Sequence, residues 1–120
     1  MNEMPLTLYV VDDDEALRRS LLLLLFSQGM AVRGFDSGEA FLEAVDARQV
    51  GCVILDLRMG GMDGLALQQV LEERGSRLPV VFLTGHGDIA HARAALKAGA
   101  VDFLEKPYAE QALLEAVREA

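Results

Sequence analysis

Asp12-Asp13-Asp14, Asp56, Thr84 and Lys106 each stand at or beside the end of a short apolar run. Carboxylates without a neighbouring histidine or thiolate describe a hard-cation site, and a small acidic cluster open to solvent and phosphate suits Mg2+ better than a caged Ca2+. With a divalent cation in place, one carboxylate can act as a nucleophile towards phosphorus. The cation and a lysine can then stabilise charge on a transferring phosphoryl group. Lys106 supplies that second positive charge.

For these groups to meet, the runs that carry them must be neighbouring strands with their carboxyl ends together. Leu6 to Val11 reads as a strand buried on both faces, and Ala31 to Phe35, Cys52 to Leu57, Val80 to Thr84 and Val101 to Leu104 read as further buried strands. Helices are expected from Glu15 to Gln28, Ser37 to Asp46, Gly64 to Glu73, Asp88 to Ala98 and Glu110 to Glu119. In the first of these, Leu17, Leu21, Leu24 and Leu25 recur at helical spacing, and Gly29 follows where a left-handed cap is wanted. Ser37 fits an N-cap, with Phe41, Leu42 and Val45 turned inward.

Strand-then-helix units with short connections call for a parallel sheet covered on both faces. Five of them suit an open, doubly wound α/β sheet, since a barrel needs eight units and about twice this length. In the flavodoxin-like strand order 2-1-3-4-5, the first and third strands are neighbours, which brings Asp12, Asp13 and Asp56 to one point at the carboxyl edge. Two carboxylates about 4 Å apart at an effective dielectric near 20 repel by roughly 4 kcal/mol, so such a cluster calls for a cation.

The length of 120 residues predicts one domain, residues 1–120, and 52% hydrophobic against 25% charged residues is a globular composition. A net charge of −8 argues against direct contact with nucleic acid or an anionic membrane. The single Cys52 permits no internal disulfide, and the longest apolar run, Leu21 to Phe26, is too short to cross a bilayer. No signal-peptide pattern opens the chain, so a cytoplasmic location is expected.

Several segments together resemble the receiver domain of two-component response regulators along the whole chain. They are Val10-Val11-Asp12-Asp13-Asp14, Ile54-Leu55-Asp56-Leu57-Arg58-Met59, Met62-Asp63-Gly64, Leu83-Thr84-Gly85-His86-Gly87 and Phe103-Leu104-Glu105-Lys106-Pro107. The Thr-Gly-His-Gly-Asp and Lys-Ala-Gly-Ala-Val-Asp-Phe stretches are most similar to the FixJ-type subgroup, whose members usually carry a LuxR-type helix-turn-helix output domain. The resemblance implies Asp56 as phosphoacceptor, with a sensor histidine kinase as donor. It implies Mg2+ held by Asp13 directly, by Asp12 largely through water, by Asp56, and by the Arg58 backbone carbonyl. Thr84 and Lys106 would contact the phosphoryl oxygens, Thr84 and Phe103 would form the switch, and the Lys106-Pro107 bond would be cis. The domain would catalyse only its own phosphorylation and dephosphorylation, and would dimerise through the face of the fourth helix, fifth strand and fifth helix. DNA would be reached only through a C-terminal output domain.

The family usually has proline after the methionine, whereas here Met59 is followed by Gly60-Gly61, which predicts a looser loop and bears on the Arg58 carbonyl. An acidic triplet alone more often complements a helix N-terminus, and Met59 and Met62 more often pack a core. His86 and His91 read as polar helix-terminus residues, and Leu22 or Leu23 as a surface contact. Three other functions share parts of this pattern: a stand-alone receiver or phosphorelay shuttle, a small Mg2+-dependent aspartyl-phosphate phosphatase, and a flavin-binding protein. The phosphatase would have a second aspartate where Arg58 stands, and the flavin protein a hydroxyl- and glycine-rich loop after the first strand.

Overall fold

Five strands form one parallel sheet in the order β2-β1-β3-β4-β5: β1 (Thr7–Val11), β2 (Ala31–Phe35), β3 (Gly51–Asp56), β4 (Val80–Thr84) and β5 (Asp102–Glu105). The helices are α1 (Glu15–Ser27), α2 (Gly38–Ala44), α3 (Gly64–Glu73), α4 (Ile89–Lys97) and α5 (Glu110–Glu119). The structure, a computed structural model, describes residues 7–46, 50–59, 61–85, 89–106 and 108–119. Expectations that fall on Leu6, Gly60, His86, Gly87, Asp88 and Pro107, including the cis bond, lie outside them.

The period of two along each strand divides the core into two layers. Tyr9, Val11, Val53, Leu55, Val80 and Phe82 face Phe41 of α2, Leu67 and Leu71 of α3, and Ala95 of α4. Leu8, Val10, Cys52, Ile54, Val81 and Leu83 face Leu21 and Leu25 of α1 and Leu113, Ala116 and Val117 of α5. On this alternation Asp56 falls on the side of α1 and α5, and Thr84 on the side of α3 and α4.

Two elements differ from expectation in their surroundings. β2 is not a strand buried on both faces: Ala31, Arg33 and Gly34 are exposed. It is the sheet edge, and Gly34 is the surface on which α1 lies, since a Cβ there would stand 2.7 Å from Leu22 Cδ1. β5, the other edge, is only half-buried. Helix α2 stops at Ala44 instead of Asp46, because Val45 turns extended (φ −122°) and enters the core.

The caps follow from residue chemistry. Ser37 Oγ accepts from the Ala40 amide at 3.1 Å, as expected, and Asp14 and Asp63 cap α1 and α3 in the same way. Gly29 takes the left-handed conformation just past α1 (φ +82°). Within the leucine run, Leu21 and Leu25 are buried and Leu17, Leu22 and Leu24 half-buried, while Leu23 and Phe26 are 70% and 67% exposed.

Candidate functional site

The site is built where three strand ends continue the ladder beyond their last regular residue. The Asp12 amide donates to the Phe35 carbonyl at 3.1 Å, that of Leu57 to Leu83 at 2.9 Å, and that of Lys106 to Thr84 at 2.8 Å. The backbone carrying each reactive side chain is therefore fixed by a neighbouring strand. Asp12 Oδ1 accepts the Asp14 amide at 2.9 Å, which turns the chain into α1 and fixes the carboxylate's orientation. Asp14 Oδ1 accepts the Leu17 amide at 3.1 Å. The triplet thus divides: Asp14 serves the helix terminus, while Asp12 and Asp13 belong to the acidic cluster.

Beyond β3 the Arg58 amide donates to Asp56 Oδ1 at 3.3 Å, folding the loop back over the carboxylate. Gly64, at the start of α3, donates its amide to the Leu57 carbonyl at 3.0 Å. A Cβ on Gly64 would lie 2.6 Å from the Asp56 carbonyl oxygen and 2.9 Å from both Leu57 Cα and Phe82 Cε1. Only glycine lets α3 approach the acidic strand end this closely. Gly64 belongs to the Met62-Asp63-Gly64 motif, but no local sequence pattern marks this packing role.

One carboxylate oxygen from each of Asp12, Asp13 and Asp56 lies within 4.8 Å of the other two. Asp13 is exposed, whereas Asp12 and Asp56 are buried, so the cluster has one open side. Lys106 Nζ lies 3.5 Å from Asp56 Oδ1 and 3.6 Å from Asp12 Oδ2. Burial and then the charge of Asp12 push the Asp56 carboxyl up to about pKa 6, while Lys106 and the Arg58 amide act in the opposite direction. The lysine thus relieves only part of the repulsion.

Two buried polar atoms here make no hydrogen bond among the described residues: Asp12 Oδ2 and Thr84 Oγ1. A buried carboxylate oxygen left in this way, beside two further carboxylates and no thiolate or imidazole, fits a hard divalent cation. Phe103 is half-buried against the same core layer as Phe82, on the Thr84 side of the sheet. Of the residues expected at the site, Asp12, Asp13, Asp56 and Lys106 converge directly, Arg58 joins through its amide, and Thr84 stands at the adjoining strand end. His91 lines a small pocket with Leu57, Arg58, Asp63 and Leu65 and is not in the acidic cluster.

Two neighbours of the site were not foreseen. Arg18 of α1 donates from Nη1 to the Asp12 carbonyl oxygen at 2.8 Å. An arginine in an amphipathic helix reads as a solvated residue, and Gly34 was its only sequence signal. Tyr108 lines a groove with Leu17, Leu21, Lys106 and Glu110, and its phenol is pushed up to about pKa 12 by burial and then by the charges of Asp12 and Glu110.

Residues 8–118 match the sequence profile of the response regulator receiver domain. The chain is 47% identical over 120 residues to the response regulator protein TmoT of Ectopseudomonas mendocina, covering all of this chain and 54% of that protein. It spans about half the length of the curated relatives it matches. Among solved structures, response regulator StyR superposes with a TM-score of 0.91 at 46% identity, over 97% of this chain and 59% of that one. The crystal structure of FixJ-N gives 0.90 at 40% identity, over 97% of this chain and 93% of that one.

Proposed function

The chain belongs to the response regulator receiver domain family of two-component signalling, and on that premise we propose that Asp56 accepts a phosphoryl group from a sensor histidine kinase. The observation that carries the assignment is the meeting of Asp12, Asp13 and Asp56 with Lys106 at the carboxyl edge of the sheet. In the transfer, an Asp56 carboxylate oxygen forms a bond to phosphorus as the phosphorus–nitrogen bond of a phosphohistidine breaks, and the imidazole leaves with that electron pair. Lys106 pairs with a phosphoryl oxygen, which requires it to move off the carboxylates it now faces. Asp12, Asp13, Asp56 and the Arg58 carbonyl would hold Mg2+, which supplies charge neutralisation to the entering phosphoryl group.

Thr84 reads the result. Its buried Oγ1, which makes no hydrogen bond among the described residues, gains a partner when a phosphoryl oxygen comes within reach, which biases the end of β4 and the ring of Phe103 towards a second arrangement. The altered surface is that of α4, β5 and α5, and it supports dimerisation. The domain acts as a switch, catalysing only its own phosphorylation and dephosphorylation. Its likeness to the transcriptional regulatory protein FixJ of Azorhizobium caulinodans, 47% identical over 113 residues, supports a role in transcription, with DNA contacted by a C-terminal helix-turn-helix output domain and not by this acidic segment. A cytoplasmic location goes with this reading of the chain as a two-component receiver. Among the described residues, no helix is long and apolar enough to cross a membrane.

Intact-mass measurement after incubation with acetyl phosphate and Mg2+ tests the assignment. One phosphoryl adduct is expected, absent from Asp56→Asn and from a chelator control. An adduct persisting on Asp56→Asn would overturn it.

A further inference from the structure

The three carboxylates come from two strand ends, and what holds the first end in place is not only the sheet. The Asp12 amide is tied to Phe35 at 3.1 Å, and the Asp12 carbonyl to Arg18 Nη1 at 2.8 Å. That carbonyl and the Asp13 amide belong to one planar peptide unit. Fixing the oxygen therefore sets the orientation of the plane from which the Asp13 side chain departs. Asp13 is exposed, and the bond from Arg18 fixes the backbone from which its side chain departs.

The helix is placed for this role. Arg18 Cγ and Cδ would lie 3.5 and 3.4 Å from a Cβ on Gly34, so the arginine stem runs over the bare backbone of β2 before its guanidinium turns to the end of β1. We infer that Arg18 is a positioning residue for the Asp12–Asp13 pair, holding the first strand end in the geometry that binds the divalent cation. The inference rests on the Mg2+ site of the proposed function.

Position and charge make opposite demands, and this gives the inference its test. A guanidinium near the carboxylates repels an incoming divalent ion, so if its charge alone mattered, removing it would tighten Mg2+ binding. If it positions the pair, removing it weakens binding by about tenfold, the lower end of what outer-shell partners of metal ligands contribute. Calorimetric titration with Mg2+ on the folded protein, with circular dichroism confirming the fold of each variant, separates the two. Arg18→Met is expected to lose about tenfold in affinity. Arg18→Lys, which keeps the charge but lacks the planar fork, is expected to fall between Met and the parent. Unchanged or tighter binding in Arg18→Met overturns the inference, as does parental affinity in Arg18→Lys should the Met variant not fold. A parent protein that takes up no Mg2+ would instead overturn the metal site itself.

Discussion

Lys106 Nζ lies 3.5 Å from Asp56 Oδ1, within ion-pair range but longer than a well-formed charged hydrogen bond, and it faces Asp12 Oδ2 at nearly the same separation. A cation shared between two carboxylates is held firmly by neither. It can turn towards a new anion without breaking a short bond, while still lowering the repulsion inside the site.

Lys106→Met removes a cationic partner that both aspartates share, with two opposite effects expected. Phosphorylation by acetyl phosphate slows by about a hundredfold, the scale of losing one charge-stabilising donor. Mg2+ binds more tightly, because an ammonium no longer competes for Asp12 Oδ2. Stopped-flow phosphorylation and calorimetry read the two separately, and a loss of Mg2+ affinity would contradict the competition.

The raised Asp56 carboxyl makes metal-free stability depend on pH. Its folded-state pKa of about 6 lies above the ordinary 3.8, so the folded form holds this proton more tightly than the unfolded chain does. The contribution is favourable below about pH 4, falls away as pH rises towards 6, and is constant above that. In urea unfolding with chelator present, Asp56→Asn should gain stability over the parent as pH rises through this window. Excess Mg2+ should stabilise the parent increasingly over the same range. A difference between parent and variant that does not change with pH would count against a strained carboxylate.

Thr84→Val should stabilise the unphosphorylated protein by about 1 kcal/mol, since it replaces a buried hydroxyl lacking a hydrogen-bond partner among the described residues by a methyl of similar shape. The same variant should take up phosphate and fail to transmit it, so that phosphorylation no longer changes its oligomeric state in analytical ultracentrifugation. Destabilisation by Val would mean that the hydroxyl already has a partner.

Gly64→Ala should cost about 1–3 kcal/mol in chemical denaturation, since the new methyl meets two backbone atoms and a core ring, none of which is the free end of a side chain. Phosphorylation should slow as well, because the displaced atoms include the carbonyl of Asp56. A neutral result would show that α3 can withdraw without disturbing β3.

On α1, Leu25→Ala should cost about 2–5 kcal/mol and Leu23→Lys less than about 0.5 kcal/mol, as the first side chain is buried and the second mostly exposed. Equal losses in thermal unfolding would show that the outer face of α1 is covered in solution.

β1, β3 and β4 were legible in the sequence because both their faces are buried, which leaves continuous apolar runs such as Cys52 to Leu55 and Val80 to Leu83. The aspartates, Thr84 and Lys106 were legible because a parallel sheet brings its carboxyl ends together whatever the intervening helices contain. β2 lies at an edge, so its exposure depends on a neighbour it lacks, which no local pattern encodes. In Leu21 to Phe26 every residue is apolar, so periodicity alone cannot tell Leu21 from Leu23. The role of Arg18 was not legible because its partner is a backbone oxygen, and backbone atoms carry no residue type to read.

The pleat puts Asp56 and Thr84 on opposite sides of one sheet, although their strands are adjacent. The place where a message arrives and the place where it is understood thus meet over the rim of a wall only one backbone thick. A group seated on that rim touches both layers at once, so a change made on one side of the sheet is felt on the other without crossing the core.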